Sequence, residues 1–147
     1  MRLPRRYLLL LLLTICGCGN NEHTLQRRVV YPASGSITAA GRPLPNASVV
    51  LHPSTSPDSD TPLFLPRGTT DEEGKFAIST YEKGDGAPPG TYRVTFSWQG
   101  PRREELSEDE QDDLPELLPR QWTRQEQSGV TVVVTEGTNE FEPFQLR

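Results

Sequence analysis

Residues 33–51 set the architecture of this chain and read ASGSITAAGRPLPNASVVL. The two ends of this stretch are β-rich, and between them lie Gly41, Pro43, Pro45 and Asn46, which are residue types that favour turns. Glycine permits a positive φ, and proline has no N–H to donate to a β-ladder. The pattern predicts strands over residues 33–40 and 47–53, joined by a turn over residues 40–46.

The same rhythm continues to the end of the chain. Short β-rich runs alternate with Gly, Pro, Asn and Asp at intervals of roughly ten to fifteen residues, which is typical of an all-β sandwich. Seven strands are predicted, over residues 33–40, 47–53, 63–70, 75–81, 90–98, 129–135 and 139–146.

Alternation within these runs predicts the core. Phe76 and Ile78 share one face of the fourth run, and four side chains share one face of the fifth: Tyr92, Val94, Phe96 and Trp98. Val130, Val132 and Val134 lie on one side of the sixth run, with Phe141 or Phe144 expected nearby. Val133 makes this run apolar on both faces, which predicts a central position in its sheet.

Residues 100–120, the acidic segment, differ from the rest of the chain. They hold eight carboxylates, at Glu104, Glu105, Glu108, Asp109, Glu110, Asp112, Asp113 and Glu116. Charge of this density resists burial, so we expect a long loop that is partly disordered or carries a short helix, with Ser107 as N-cap and Glu110 at the capping-box position. The alternating Asp spacing of an EF-hand calcium loop is absent, so we do not expect a calcium site.

The first eighteen residues have the pattern of a bacterial lipoprotein signal. A basic start, a leucine run over residues 8–13 and a small-residue end precede Cys18. Gly17 and Ile15 supply the small and aliphatic residues that signal peptidase II requires before Cys18, whereas Cys16 would follow Ile15 directly. We therefore predict a signal over residues 1–17, lipidation of Cys18, a flexible tether over residues 18–31 and the folded domain over residues 32–147.

Lipidation of Cys18 would determine both where the mature chain is held and which thiol chemistry is open to it. The mature chain would be held in the cell envelope by acyl chains such as palmitate, and Gly19, where some retained lipoproteins have aspartate, favours the outer membrane. Loss of Arg2, Arg5 and Arg6 would change the net charge of −5 to −8, which disfavours nucleic acid and anionic lipid headgroups as partners. With Cys16 removed and Cys18 acylated, no free thiol remains for redox chemistry, nucleophilic attack or metal binding.

Three motifs resemble those of transthyretin-like domains, also called carboxypeptidase-regulatory-like domains. Residues 35–51 resemble their pattern G-x-V-T-x-x-G-x-P-L-x-x-A-x-V-x-L, residues 70–76 their T-D-x-x-G-x-F hairpin and residues 88–94 their x-P-x-G-x-Y-x-V strand entry. Residues 118–122 and 128–132 resemble the tail of small bacterial lipoproteins built from this one domain, with Trp122 in place of the usual tyrosine. The resemblance implies a seven-stranded, immunoglobulin-like or prealbumin-like sandwich.

Enzymes of related architecture need residues that this chain lacks. Transthyretin-like hydrolases end in Tyr-Arg-Gly-Ser and use several histidines, and intradiol dioxygenases bind iron through two tyrosines and two histidines. This chain ends in Glu-Pro-Phe-Gln-Leu-Arg and has only His23, in the predicted tether, and His52, at the end of the second predicted strand. We therefore expect no catalytic residues, no metal site and no cofactor.

Two functions stay open. The sandwich is either a structural or protein-binding module of the envelope, or a carbohydrate-binding module that stacks exposed aromatic rings on sugars. Trp98, Trp122 and Tyr81 are the candidate stacking residues. The expected partners are the membrane, through the lipid anchor, and an envelope protein or a glycan.

Overall fold

The computed structural model describes residues 27–55 and 64–147. These residues form an all-β sandwich of two sheets, which confirms the predicted fold class. The described part contains nine strands rather than the predicted seven, and two short helices. They are β1 (Ala33–Ala39), β2 (Arg42–Pro43), β3 (Ser48–Pro53), β4 (Arg67–Thr69), β5 (Lys75–Ala77), β6 (Gly90–Ser97), α1 (Glu108–Asp112), α2 (Arg120–Thr123), β7 (Thr131–Val134), β8 (Asn139–Glu140) and β9 (Phe144–Leu146).

The first sheet is built around β1. This strand pairs antiparallel with β2 and β5, and parallel with β8 and β9. The second sheet has the order β4-β3-β6-β7 and is antiparallel throughout. In it, Ser48 of β3 lies opposite Ser97 of β6, and Pro53 lies opposite Tyr92. The end of β6 therefore lies beside the start of β3.

The core lies between the two sheets, where the alternating side chains meet. Phe76 and Ile78 are buried on one side, and Tyr92, Val94 and Phe96 on the other, as the alternation predicts. Val132 and Val134 are also buried, while Trp98, Val130, Phe141 and Phe144 are half-buried and pack against the core. The Phe144 ring centroid lies 5.1 Å from that of Phe96 and 6.1 Å from that of Phe76, so this ring joins the two sheets.

The predicted turn over residues 40–46 contains a short strand instead. Ala40 and Gly41 both have positive φ, 48° and 74°, which is the pattern of a two-residue type I′ hairpin. β2 follows this hairpin and pairs back onto β1, with Pro43 opposite Thr38. Proline cannot donate to a ladder, but its carbonyl can still accept, and two residues at the end of the sheet order tolerate the missing donor.

The last predicted strand, over residues 139–146, is divided into β8 and β9. Pro143 lies in the break and has no N–H, and both pieces pair with β1. The predicted strands over residues 63–70 and 75–81 are also longer than observed, because β4 and β5 have three residues each. Leu63 lies outside the described residues.

The predicted central position of the sixth run is wrong. Its strand, β7, ends the order of the second sheet, and the Val133 side chain is 57% exposed. An edge strand can carry one apolar residue on its outer face without burying it. The presence of apolar residues on both faces of this run therefore did not determine the position of its strand in the sheet.

Candidate functional site: a polar cleft beside the acidic segment

The acidic segment is folded against the end of β6. The Glu116 carboxylate accepts hydrogen bonds from the Ser97 hydroxyl at 2.6 Å, the Trp98 N–H at 3.0 Å and the Leu118 N–H at 2.8 Å. The Leu117 N–H donates to the Trp98 carbonyl at 2.8 Å. One carboxylate thus joins the last strand residues to the end of the segment.

The short helix expected within the segment is present. The Ser107 hydroxyl accepts from the Glu110 N–H at 3.4 Å, and the Glu110 carboxylate accepts from the Ser107 N–H at 3.0 Å, which completes the predicted capping box. The Ser107 N–H and the Ser107 hydroxyl both donate to the Glu110 carboxylate, and these two bonds lower the pKa of the Glu110 carboxyl below its ordinary value. Helix α1 therefore begins where the sequence predicts.

Two glutamine side chains hold α1 in place. The Gln99 amide donates to the carbonyls of Asp112 and Leu114, at 2.8 and 2.9 Å. The Gln111 Oε1 accepts from the Arg103 N–H at 3.0 Å. Because Gln99 is the second residue after the end of β6, these bonds fix the helix relative to the second sheet.

A polar cleft of about 280 Å³ lies between α1 and the edge of this sheet. It has hydroxyl, amide, guanidinium and carboxylate groups in its walls, so donors and acceptors face the same space. Its lining residues are Asn46, Ser48, Thr69, Gln99, Arg102, Glu108, Gln111 and Asp112.

One donor in this wall has no acceptor. Gln111 is 6% exposed, and its Nε2 has no hydrogen-bond partner among the described residues. A buried amide N–H without an acceptor costs on the order of 1–3 kcal/mol. Gln111, which lines the cleft, therefore holds a buried donor whose hydrogen bond is not formed.

A second depression continues the cleft along β4. It has a volume of about 570 Å³ and shares Ser48 and Thr69 with the cleft. Arg67 and Lys83 bring positive charge to it, and Ser79 a further hydroxyl. The two spaces together form a polar groove along this edge of the sandwich.

His52 lies on the outer face of the second sheet and does not line this groove. Its Nε2 lies 2.9 Å from the Thr95 hydroxyl oxygen, which itself is buried. Burial lowers the pKa of the His52 imidazole, and the charge of Glu126 opposes this in part. The residue is half-buried and paired with a hydroxyl.

The candidate aromatic residues lie at different places. The Trp98 Nε1–H donates to the Pro45 carbonyl at 2.9 Å, and the Trp122 Nε1–H donates to the Arg147 carbonyl at 3.3 Å while its ring meets the Phe96 ring edge-on. The Tyr81 hydroxyl accepts from the Arg28 N–H at 3.0 Å. All three are half-buried, and Tyr81 lies near the start of β6, whereas Trp98 follows its end.

Residues 27–31 lie along the domain near Tyr81. Tyr31 exchanges backbone hydrogen bonds with Ala87 at 2.9 and 3.0 Å, and the Arg27 guanidinium lies 5.3 Å from the centroid of the Tyr81 ring. Arg27 also pairs with Glu82 at 3.3 Å. Cys16, Cys18, His23 and the predicted signal lie outside the described residues.

Sequence reasoning missed the cleft residues. Ser48, Thr69 and Gln111 lie in separate predicted elements, and only the fold brings them together. The one local sequence signal near the cleft was the capping box of Ser107 and Glu110. It predicted where α1 begins but not the residues that lie beside this helix in the cleft.

No helix within residues 27–55 and 64–147 is long and apolar enough to cross a membrane. The same residues contain no group of three or more His, Cys, Asp or Glu side chains placed to hold a metal ion.

No protein-family model matches the chain. No curated protein matches it either. Among solved structures, the chain is similar to a protein of Pseudomonas aeruginosa that has been proposed to bind carbohydrate, with 16% identity and a TM-score of 0.42 over 83% of this chain and 92% of that one. It is also similar to a 9R-lipoxygenase of Cyanothece, with 16% identity and a TM-score of 0.36 over 82% of this chain and 18% of that one. Likeness at this level does not assign the chain to either class.

Proposed function

We propose that this protein is a lipid-anchored, non-catalytic module of the bacterial cell envelope, whose sandwich binds a partner through the polar cleft. Cys18, preceded by Ile15 and Gly17, is the anchor. The resemblance of residues 33–98 to transthyretin-like domains, and of residues 118–122 and 128–132 to small bacterial lipoproteins built from one such domain, supports the same proposal.

The observation that carries the proposal is the separation of the tether from the cleft. Residues 27–31 attach beside Ala87, just before β6 begins, and the cleft lies beside Gln99, just after β6 ends. The eight residues of β6 span about 25 Å. A domain held at its tether end would present the cleft away from the membrane.

The charge distribution agrees with this orientation. The acidic segment lies at the cleft end, and its carboxylates would be repelled by an anionic lipid surface. Residues 19–26 can span at most about 30 Å, so the domain would stay close to the membrane that holds its lipid.

In the alternative proposal, sugars stack on Trp98, Trp122 and Tyr81. The structure does not bring these three rings together on one surface. Each ring has its polar atom in a hydrogen bond to the backbone, and Arg27 already lies over Tyr81. A stacking platform would have to use one ring at a time, which leaves the cleft as the better candidate for binding.

Membrane fractionation of cysteine variants tests the anchor. Cys18→Ser should remove the protein from the membrane fraction or block its processing, because no other thiol follows the predicted cleavage point. Cys16→Ser is the matched control and should leave the protein in the membrane fraction. Retention of Cys18→Ser together with release of Cys16→Ser would move the lipid to Cys16, and catalytic turnover by the purified protein would contradict the non-catalytic part.

A further inference from the structure

We propose that the cleft binds a hydroxyl-rich ligand, a glycan, and that the Gln111 amide donates to one of its oxygens. This inference rests on the proposed function only in taking the cleft as the binding surface. Binding itself does not depend on the lipid anchor, so the two can fail separately.

The ligand must bring an acceptor. The Gln111 Oε1 is already engaged by the Arg103 N–H, while Nε2 has no partner among the residues that the structure describes. Nε2 can only donate, so an incoming group must offer an oxygen lone pair. Because Nε2 has less than 1 Å² of exposed surface, the side chain must turn slightly to meet it.

The ligand must also bring donors. Glu108 and Asp112 line the same cleft, and an ionised carboxylate can only accept hydrogen bonds. Arg102 lies 4.0 Å from Glu108 and is exposed, so it screens that charge weakly. A hydroxyl group donates and accepts at once, and adjacent hydroxyls on a sugar ring can satisfy Gln111 and a carboxylate together.

Other ligand classes fit the lining groups less well. The ammonium groups of a lysine-rich peptide would pair with Glu108 and Asp112 but cannot accept from the Gln111 N–H, which would need a backbone carbonyl of the same peptide as its acceptor. An inorganic anion would accept from Gln111 but would face two carboxylates. The neutral hydroxyls of Ser48 and Thr69 suit a sugar as well.

The shape of the groove suits a chain of sugars. The cleft, at about 280 Å³, is close to the lower limit of about 300 Å³ for small-molecule sites. The adjoining depression of about 570 Å³ shares Ser48 and Thr69 with it, so a longer oligosaccharide has room to continue along β4.

A glycan array tests the proposal with the full-length lipoprotein in detergent micelles. The array carries neutral and acidic oligosaccharides, including fragments of peptidoglycan and lipopolysaccharide, and hexalysine is printed beside them. We expect binding to at least one glycan class. Calorimetry with the best glycan then compares the original protein with its variants.

Two variants remove the donor in different ways. Gln111→Glu keeps an acceptor for the Arg103 N–H and replaces Nε2 by oxygen, and Gln111→Met removes both polar atoms at similar volume. Both should weaken glycan binding at least tenfold in protein that circular dichroism shows to be folded. Each should also lower the melting temperature, because Glu places a carboxylate at a buried position and Met leaves the Arg103 N–H without its acceptor. Gln127→Met, a change at an exposed glutamine, is the control and should bind like the original protein.

Three results would overturn the proposal. They are binding to no glycan on the array, binding to hexalysine alone, and undiminished glycan affinity in folded Gln111→Glu. Release of Cys18→Ser from the membrane is a separate result that supports the lipid anchor. If it is observed, each of these three results would contradict glycan binding and leave the proposed anchor at Cys18 standing.

Discussion

Gly86 shows how tightly a single residue can be constrained where residues 27–31 contact the rest of the described chain. A Cβ placed there would lie 1.7 Å from the Tyr31 carbonyl oxygen, and φ is 96°. The Tyr31 backbone cannot move away without losing its two hydrogen bonds to Ala87. The residue type is therefore set by the close approach of two backbones.

We expect Gly86→Ala to lower the free energy of unfolding by about 3 kcal/mol or more, because overlap with backbone adds to a strained φ. Gly84→Ala is the matched control, with a φ of 72° and open space around its Cβ. It should cost only about 1 kcal/mol. Chemical denaturation measures both, and equal losses would show that residues 27–31 do not hold this contact.

His52 should make stability depend on pH in a defined window. Its pKa is lowered in the folded protein, so below the ordinary value of 6.5 the unfolded chain takes up a proton more readily than the folded one. The free energy of unfolding should therefore fall as the pH drops from 7.5 to 5.5. In His52→Gln this part of the fall should be absent.

Urea titrations across that range check the effect. His23→Gln is the control, since His23 lies in the predicted tether and its change should leave the pH profile as it was. A profile that is unchanged in His52→Gln would refute the role of burial at this imidazole.

Among the elements, those specified by local pattern were predictable. Phe76 with Ile78, and Tyr92 with Val94 and Phe96, follow the strand period and are buried as expected. Helix α1 begins at the predicted cap because Ser107 and Glu110 are neighbours in sequence.

Elements that depend on distant partners were not predictable. The division of residues 139–146 into β8 and β9 depends on pairing with β1, about a hundred residues earlier, and the edge position of β7 depends on the order of strands in the sheet. The cleft unites Ser48, Gln99 and Gln111, which no short motif connects. For the same reason the sequence indicated the acidic segment but not the space beside it.

The attachment of the acidic segment depends on Glu116. In Glu116→Ala, the N–H groups of Trp98 and Leu118 lose their acceptor, and we expect the segment to open to protease several-fold faster. Because the carboxylate is exposed, the loss in global stability should be only about 1 kcal/mol.

Limited proteolysis with mass-spectrometric mapping measures this effect. Glu104→Ala is the control, because Glu104 is exposed and its side chain makes no hydrogen bond or ion pair within the described ranges. Equal cleavage rates in the two variants would contradict the anchoring role of Glu116.

The whole molecule has two different ends. The described chain enters beside Ala87, and the polar cleft opens about one strand length away, beside Gln99. In the proposed function, the first end faces the membrane and the second faces the partner. This arrangement has meaning only if the chain is held by lipid at Cys18.

Mass spectrometry of the N-terminal peptide, from protein extracted out of bacterial membranes, tests that condition most directly. The proposal predicts a mature chain that begins at Cys18, with a diacylglycerol thioether on its sulfur and residues 1–17 absent. A mature chain with an unmodified Cys18, or one that still carries Cys16, would contradict it.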